Sequence, residues 1–163
     1  MNTGDVALEA SLSGSDYAVI ALLSGGGTIS LQGFPQWSKH TVTFEQLAAA
    51  STENNIELFS LPPGGVLHTL RTKHSESFSG GNIIAYQLQV GLALNLNKYT
   101  NESFFDVFQP VGNTVFAVFD GPFSENATAA TSIRVGATST GDNLDAATAG
   151  SVDIHVLTSV IAP

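Results

Sequence analysis

The sequence predicts an all-β protein, an antiparallel β-sandwich carrying one or two short helices. Three observations lead there. Apolar and polar residues alternate with period two along a series of short runs. Clusters of Gly, Pro, Asn and Asp interrupt those runs about every eight to twelve residues, the spacing of strands in a sandwich. No helical stretch is long enough to cross over a parallel sheet. The 163 residues suffice for one domain, which at this size buries roughly 70% of its unfolded surface. Cysteine is absent, so neither disulfides nor thiolate metal sites contribute. No internal repeat is visible.

Residues 1–37 read apart from the remainder. Gly4, Gly14, the Gly25-Gly26-Gly27 run and Gly33 surround two apolar stretches, Tyr17–Leu23 and Thr28–Phe34. Triple glycine between strand-like runs marks a flexible turn. Two readings stand side by side: an N-terminal arm that crosses onto a neighbour, or a hairpin of the same domain. As an arm it would make partner contacts through Val19, Ile20, Leu22, Leu23, Ile29 and Leu31. Phe34 and Trp37 would anchor its junction with a sandwich of residues 38–163.

From Ser38 the pattern becomes regular. Thr43 and Gln46 have capping-box spacing ahead of a helical turn or two over Glu45–Ala50. Ile56–Leu61 alternates and stops at Pro62-Pro63-Gly64-Gly65, a strong turn signal. Val66–Lys73 is the next strand. Without a bulge it sets Val66, His68, Leu70 and Thr72 on one face, and Leu67, Thr69, Arg71 and Lys73 on the other. After Ser79-Gly80-Gly81-Asn82 comes Ile83–Leu96, where Ile84, Tyr86, Leu88 and Val90 share a face opposite Gln87 and Gln89. Asn101–Phe108 is ambiguous: Phe104, Phe105 and Phe108 suit a helical face, with Pro110 as its stop. Val115–Phe119, Ser132–Ala137 and Val152–Val160 are strands. On the last, Val152, Ile154, Val156, Thr158 and Val160 point one way, and Asp153, His155 and Leu157 the other.

Composition narrows the function classes. Five Lys and Arg against fourteen Asp and Glu give a formal charge of −9, which phosphate backbones repel; nucleic acid is not an expected partner. The longest apolar run, Ala18–Leu23, falls far short of the roughly 20 residues of a membrane span. The amino terminus lacks the basic-then-apolar order of a signal peptide. Charged residues make up 12%, about half the usual share, and Ser, Thr and Asn fill the gap. Such a surface docks on other protein with little charge desolvation.

Catalytic constellations are absent from the pattern. No G-x-S-x-G elbow occurs among the serines, and the carboxylates are scattered singly at turns rather than paired. On an unbulged strand His68 and His74 share a face but lie six residues, about 20 Å, apart, too far for one metal ion. Ser139–Asp145 offers oxygen ligands around Gly141 but no bidentate Glu where a calcium loop needs one, so a turn accounts for it better. No catalytic, cofactor-binding or metal-binding residue is expected. Arg71 and Lys73, with Lys39 elsewhere, hold most of the positive charge; the first two suit a solvated edge or a contact to an acidic partner.

The segment Thr41-Val42-Thr43-Phe44, the turn Leu61-Pro62-Pro63-Gly64-Gly65-Val66 and Glu76-Ser77-Phe78-Ser79-Gly80-Gly81 recur in order with Val90-Gly91-Leu92. Ile133-Arg134-Val135, Ala146-Ala147-Thr148-Ala149-Gly150 and Val152–Leu157 follow. Over these residues, about three-quarters of the chain, the sequence resembles tailed-phage virion structural proteins of the capsid decoration (cement) type. That resemblance implies a jelly-roll-like sandwich and a homotrimer seated on the major capsid protein at the outer head surface, made in the host cytoplasm. It implies no catalytic residue and no cofactor. Leu92–Asn97 lacks the acidic loop of that pattern, and residues 1–37 match nothing in it. The alternative is a trimeric receptor- or carbohydrate-binding module of a phage tail fibre. Such a module should display an exposed aromatic platform, whereas the only tryptophan is Trp37.

Overall fold

A computed structural model describes residues 35–100, 105–108, 116–120 and 127–160, with positions alone for 116–120. Eight strands follow in chain order: β1 (Gln36–Thr43), β2 (Glu53–Leu61), β3 (Gly65–Ser79), β4 (Ala85–Gly91), β5 (Phe105–Asp106), β6 (Phe116–Asp120), β7 (Thr131–Thr140) and β8 (Ala149–Val160). They form two four-stranded sheets, ordered β1-β8-β3-β6 and β2-β7-β4-β5, and every pairing is antiparallel. The chain alternates between the sheets, staying in one only from β4 to β5. This is an eight-stranded jelly-roll sandwich.

The inner faces meet in one apolar core. Val42, Leu70, Ile154 and Val156 from the first sheet face Tyr86, Leu88, Val90, Ile133 and Val135 from the second, all at 0–1% exposure. Phe78 of β3 packs its ring 4.7 Å from Tyr86 of β4, tying the layers together. At one rim His40 of β1 stacks on Phe59 of β2 with ring centroids 5.0 Å apart.

Local chemistry sets the connections. The helix shrinks to a single turn, α1 (Phe44–Leu47), started by the Thr43–Gln46 capping box; the Thr43 amide donates to Gln46 Oε1 at 2.9 Å. Two 3-10 turns, Lys98–Thr100 and Leu144–Ala146, are the other helical segments among the described residues. Pro62–Gly65 closes as a β-turn, with the Gly65 amide donating to the Pro62 carbonyl at 2.8 Å and Gly64 at φ +75°. In the loop after β7, Asp142 accepts from the amides of Asn82 and Asn143. Those backbone donors hold its carboxyl below the usual range. Both of its oxygens are thus spent on a turn.

Several expectations need correction. β3 is bulged at His68: Leu67 pairs with Thr158 and Thr69 with Leu157, leaving His68 outside the ladder. The bulge flips the strand's phase. Leu67 therefore joins Leu70, Thr72 and His74 among the buried residues, while Arg71 and Lys73 are exposed. His68 instead reaches Ser159 Oγ at 2.8 Å, and His74 Nε2 lies 2.9 Å from the Glu76 carbonyl. Ile84 is 68% exposed, because β4 starts only at Ala85 and the preceding turn buries Ile83 in its place. β4 ends at Gly91, and Leu92–Asn95 doubles back as a tight turn rather than extending the strand. Phe105 belongs to a strand, not a helix; Phe104 lies outside the described residues.

The phase of β8 matches the sequence reading through Val156. Val152, Ile154 and Val156 are buried, whereas Asp153, His155 and Leu157 are half-buried on the opposite face. Beyond Val156 the pattern fails. Thr158 and Val160 are only half-buried and Ser159 is buried beneath the His68 contact.

Candidate interaction surface

The outward face of the first sheet collects the side chains with the most distinctive chemistry. Because β8 lies between β1 and β3, the register lines up three rungs across the sheet. Trp37 pairs with Leu157 and Leu157 with Thr69; Lys39 pairs with His155 and His155 with Arg71; Thr41 pairs with Asp153 and Asp153 with Lys73. With neighbouring strands about 4.8 Å apart, the cations on β1 and β3 lie roughly 10 Å apart across β8. Trp37, Lys39, Arg71, Lys73, Asp153 and His155 line one depression of about 530 Å³.

Charge concentrates here. The whole chain has five Lys and Arg, and three of them line this depression against one carboxylate among the described residues. The Arg71 guanidinium sits 5.0 Å from the centroid of the Trp37 ring, a cation–π contact that holds the otherwise mobile Arg in place. Lys39 Nζ lies 3.5 Å from Asp153 Oδ2, the one ion pair among the described residues, and the Thr41 hydroxyl donates to Asp153 Oδ1 at 2.7 Å. Partial burial pushes the Asp153 carboxyl up. The Thr41 bond, the Lys39 ammonium and His155 together outweigh it, so Asp153 ionises below its ordinary range. The carboxylate therefore stays charged at neutral pH and pairs with Lys39 while leaving that side chain half exposed.

The opposite sheet offers a contrast. A depression of about 460 Å³ there is lined by Glu53, Asn54, Asn55, Gln89 and Thr138 among others, with no cation among the described residues. Arg134 is occupied nearby, donating to Asn55 Oδ1 at 2.6 Å and to the Asn55 carbonyl.

Of the residues singled out from sequence, the fold brings Trp37, Arg71 and Lys73 to one place. Val19, Ile20, Leu22, Leu23, Ile29, Leu31 and Phe34 lie outside the described residues. Asp153 and His155 were missed as site residues, and Lys39 was set apart from Arg71 and Lys73. The signal for Arg71 and Lys73 was their spacing of two on one strand. Nothing local to Lys39 or His155 shows that β8 runs between β1 and β3. Among the described residues no three His, Asp or Glu side chains gather as a metal site would require, and no helix is long and apolar enough to cross a membrane.

No family model matches the chain, and no curated protein resembles it in sequence. The fold does have a counterpart. The chain is similar to one from the cyanophage Pam1 capsid asymmetric unit, at 17% identity and a TM-score of 0.56, over 90% of this chain and 99% of that one. What the two share is the sandwich. Looser overlaps, too weak to establish a common fold, occur with mud crab tombus-like virus (11% identity, 96% and 94% of the two chains, TM-score 0.32) and infectious bursal disease virus Gx strain (14%, 98% and 42%, TM-score 0.30).

Proposed function

We propose that this protein is a structural component of a virus capsid, and specifically a decoration protein that binds the outer head surface as a homotrimer and stabilises the shell. The observation that carries this reading is the end-to-end fold match to a chain of a phage capsid asymmetric unit, which leaves almost nothing of that chain uncovered. The sparsely charged, Ser-, Thr- and Asn-rich composition supports it, because such surfaces pack against other protein at little desolvation cost. Trp37 speaks against the sugar-binding alternative. Although 48% exposed, its ring already carries Arg71, so the face on which a sugar would stack is shared with a cation.

Decoration acts by mass action. A protein that binds the assembled shell and not its dissociated parts stabilises that shell in proportion to the logarithm of its own concentration. Many copies with modest interfaces are enough. The test is to purify particles that contain the chain, count its copies by quantitative mass spectrometry, and compare the melting of shells with and without it. Hundreds of copies and a raised melting temperature are expected. A count near a dozen would move the protein to the tail, and no change in melting would remove the stabilising role.

A further inference from the structure

We infer that the depression lined by Trp37, Lys39, Arg71, Lys73 and His155 is the seat of carboxylates from a second copy of this chain, and that copies associate head to tail through it. This inference rests on the assembly reading above and names the contact that would make the assembly.

The argument starts from net charge. Two copies at −9 each repel at long range, yet at physiological salt that repulsion is screened beyond about 8 Å. Inside that distance local charges decide. With three of the chain's five cations in one depression, no other part of the described surface offers comparable attraction to an acidic neighbour. The neighbour's carboxylates are plentiful, and Glu45, Glu53, Glu57, Glu76 and Asp145 are all exposed.

Preorganisation strengthens the case. A cation that must be frozen on binding forfeits part of its attraction to lost side-chain freedom. Arg71 is already held over Trp37, and Lys39 is already aimed by Asp153. Asp153 itself is fixed by Thr41, so the arrangement exists before any partner arrives. A planar guanidinium in this setting can take a carboxylate through two parallel hydrogen bonds.

The charges bear on symmetry. A two-fold axis through the depression would set cations against cations, so the depression meets a different, carboxylate-bearing region of the next copy. A two-fold axis set between the two regions would make that contact twice and stop at a dimer; the homotrimer proposed above selects the head-to-tail arrangement, which closes into a ring when its rotation permits.

The experiment uses the full chain, with natural-abundance and ¹⁵N-labelled copies mixed and allowed to exchange. A zero-length carbodiimide reagent then joins lysines to carboxylates in contact. Peptide mass spectrometry should find Lys39 or Lys73 joined to Asp or Glu in isotopically mixed pairs, with the Lys39–Asp153 link within one copy as the internal control. The double variant R71E/K73E should fall to the mass of a single chain by light scattering while keeping its circular dichroism spectrum. R71Q/K73Q, which adds no repulsion, should weaken association about tenfold or more. Above physiological salt, where the net repulsion is already screened, wild-type association should also weaken as salt rises.

If both double variants keep the wild-type oligomer, the depression is not the contact, though the assembly reading survives. If the lysines link only within one isotope, the carboxylates come from the same chain, and the inference is overturned. If the wild type itself is monomeric and does not bind shells, the assembly reading fails together with it.

Discussion

Gly150 of β8 lies directly beneath the Phe78 ring: a Cβ at this position would stand 2.4 Å from Phe78 Cγ. The backbone there has φ +138°, a conformation that side-chain-bearing residues rarely adopt. Backbone strain and overpacking thus act at one site. Gly150→Ala is expected to cost roughly 2–4 kcal/mol, read as a lowered denaturation midpoint at unchanged slope. A shift too small to measure would mean that Phe78 can move aside, and with it the contact to Tyr86.

The two faces of β8 should answer differently to mutation. Ile154 is fully buried, and Ile154→Ala should cost roughly 2–5 kcal/mol through lost burial and the cavity left behind. Asp153 faces outward, but its bond to Thr41 makes it more than a solvated carboxylate; Asp153→Ala should cost about 1–2 kcal/mol. Its folded ionisation lies below its ordinary value of 3.8. The stability it contributes is therefore complete above that value and is lost as pH falls through the lower, folded one. Asp153→Asn should flatten stability against pH below about 4. An unaltered acid limb would show that other carboxylates govern it.

His40 should impose a second, milder pH dependence. Burial against Phe59 lowers it from 6.5, so the fold prefers the neutral ring. As pH falls below about 6.5 the unfolded chain takes up the proton first, and stability declines until the folded ring is protonated too. Chemical denaturation between pH 7 and 5 should show that decline. His40→Phe keeps a ring on Phe59 and should remove it. The same slope in the variant would assign the decline to another group.

Deletion of residues 1–34 leaves β1 whole, since that strand starts at Gln36. If this segment reaches a neighbouring copy or the capsid, the truncated chain should keep its β-sheet circular dichroism and lose its oligomer or its binding to shells. Val19, Ile20, Leu22 and Leu23 would each gain about 1.5–3 kcal/mol from burial, so they need a surface somewhere. An unfolded truncation would place that surface in the sandwich itself.

How far the sequence can be read depends on the range of the interaction that decides each feature. The Pro62–Gly65 turn, the Thr43–Gln46 cap and the phase of Val152, Ile154 and Val156 were legible, because each is settled within a few residues. The His68 bulge was not. It is set by how β3 meets β8, ninety residues away, and it reverses which side Leu67 faces. Ile84 was misread for a similar reason: period two was carried back one residue past the start of β4. The interaction surface was half legible. Arg71 and Lys73 share a face through strand periodicity alone, whereas Lys39 and His155 join them only once β8 is known to run between β1 and β3.

The pairing of Gln36 with Thr158 brings the chain into and out of the sandwich at the same end of one sheet. In a chain that tolerates removal of the segment before β1, a linker of a few residues across that gap would turn the fold into a closed circuit, which a new break at the exposed Ala50-Ser51 link could reopen without cutting any strand. The same geometry governs cargo. A peptide fused after β8 emerges on the Trp37 side of the molecule and would crowd the face proposed as the contact between copies. One carried at Ala50-Ser51 hangs from the far end, where Thr43 pairs with Ser151, and leaves that face open.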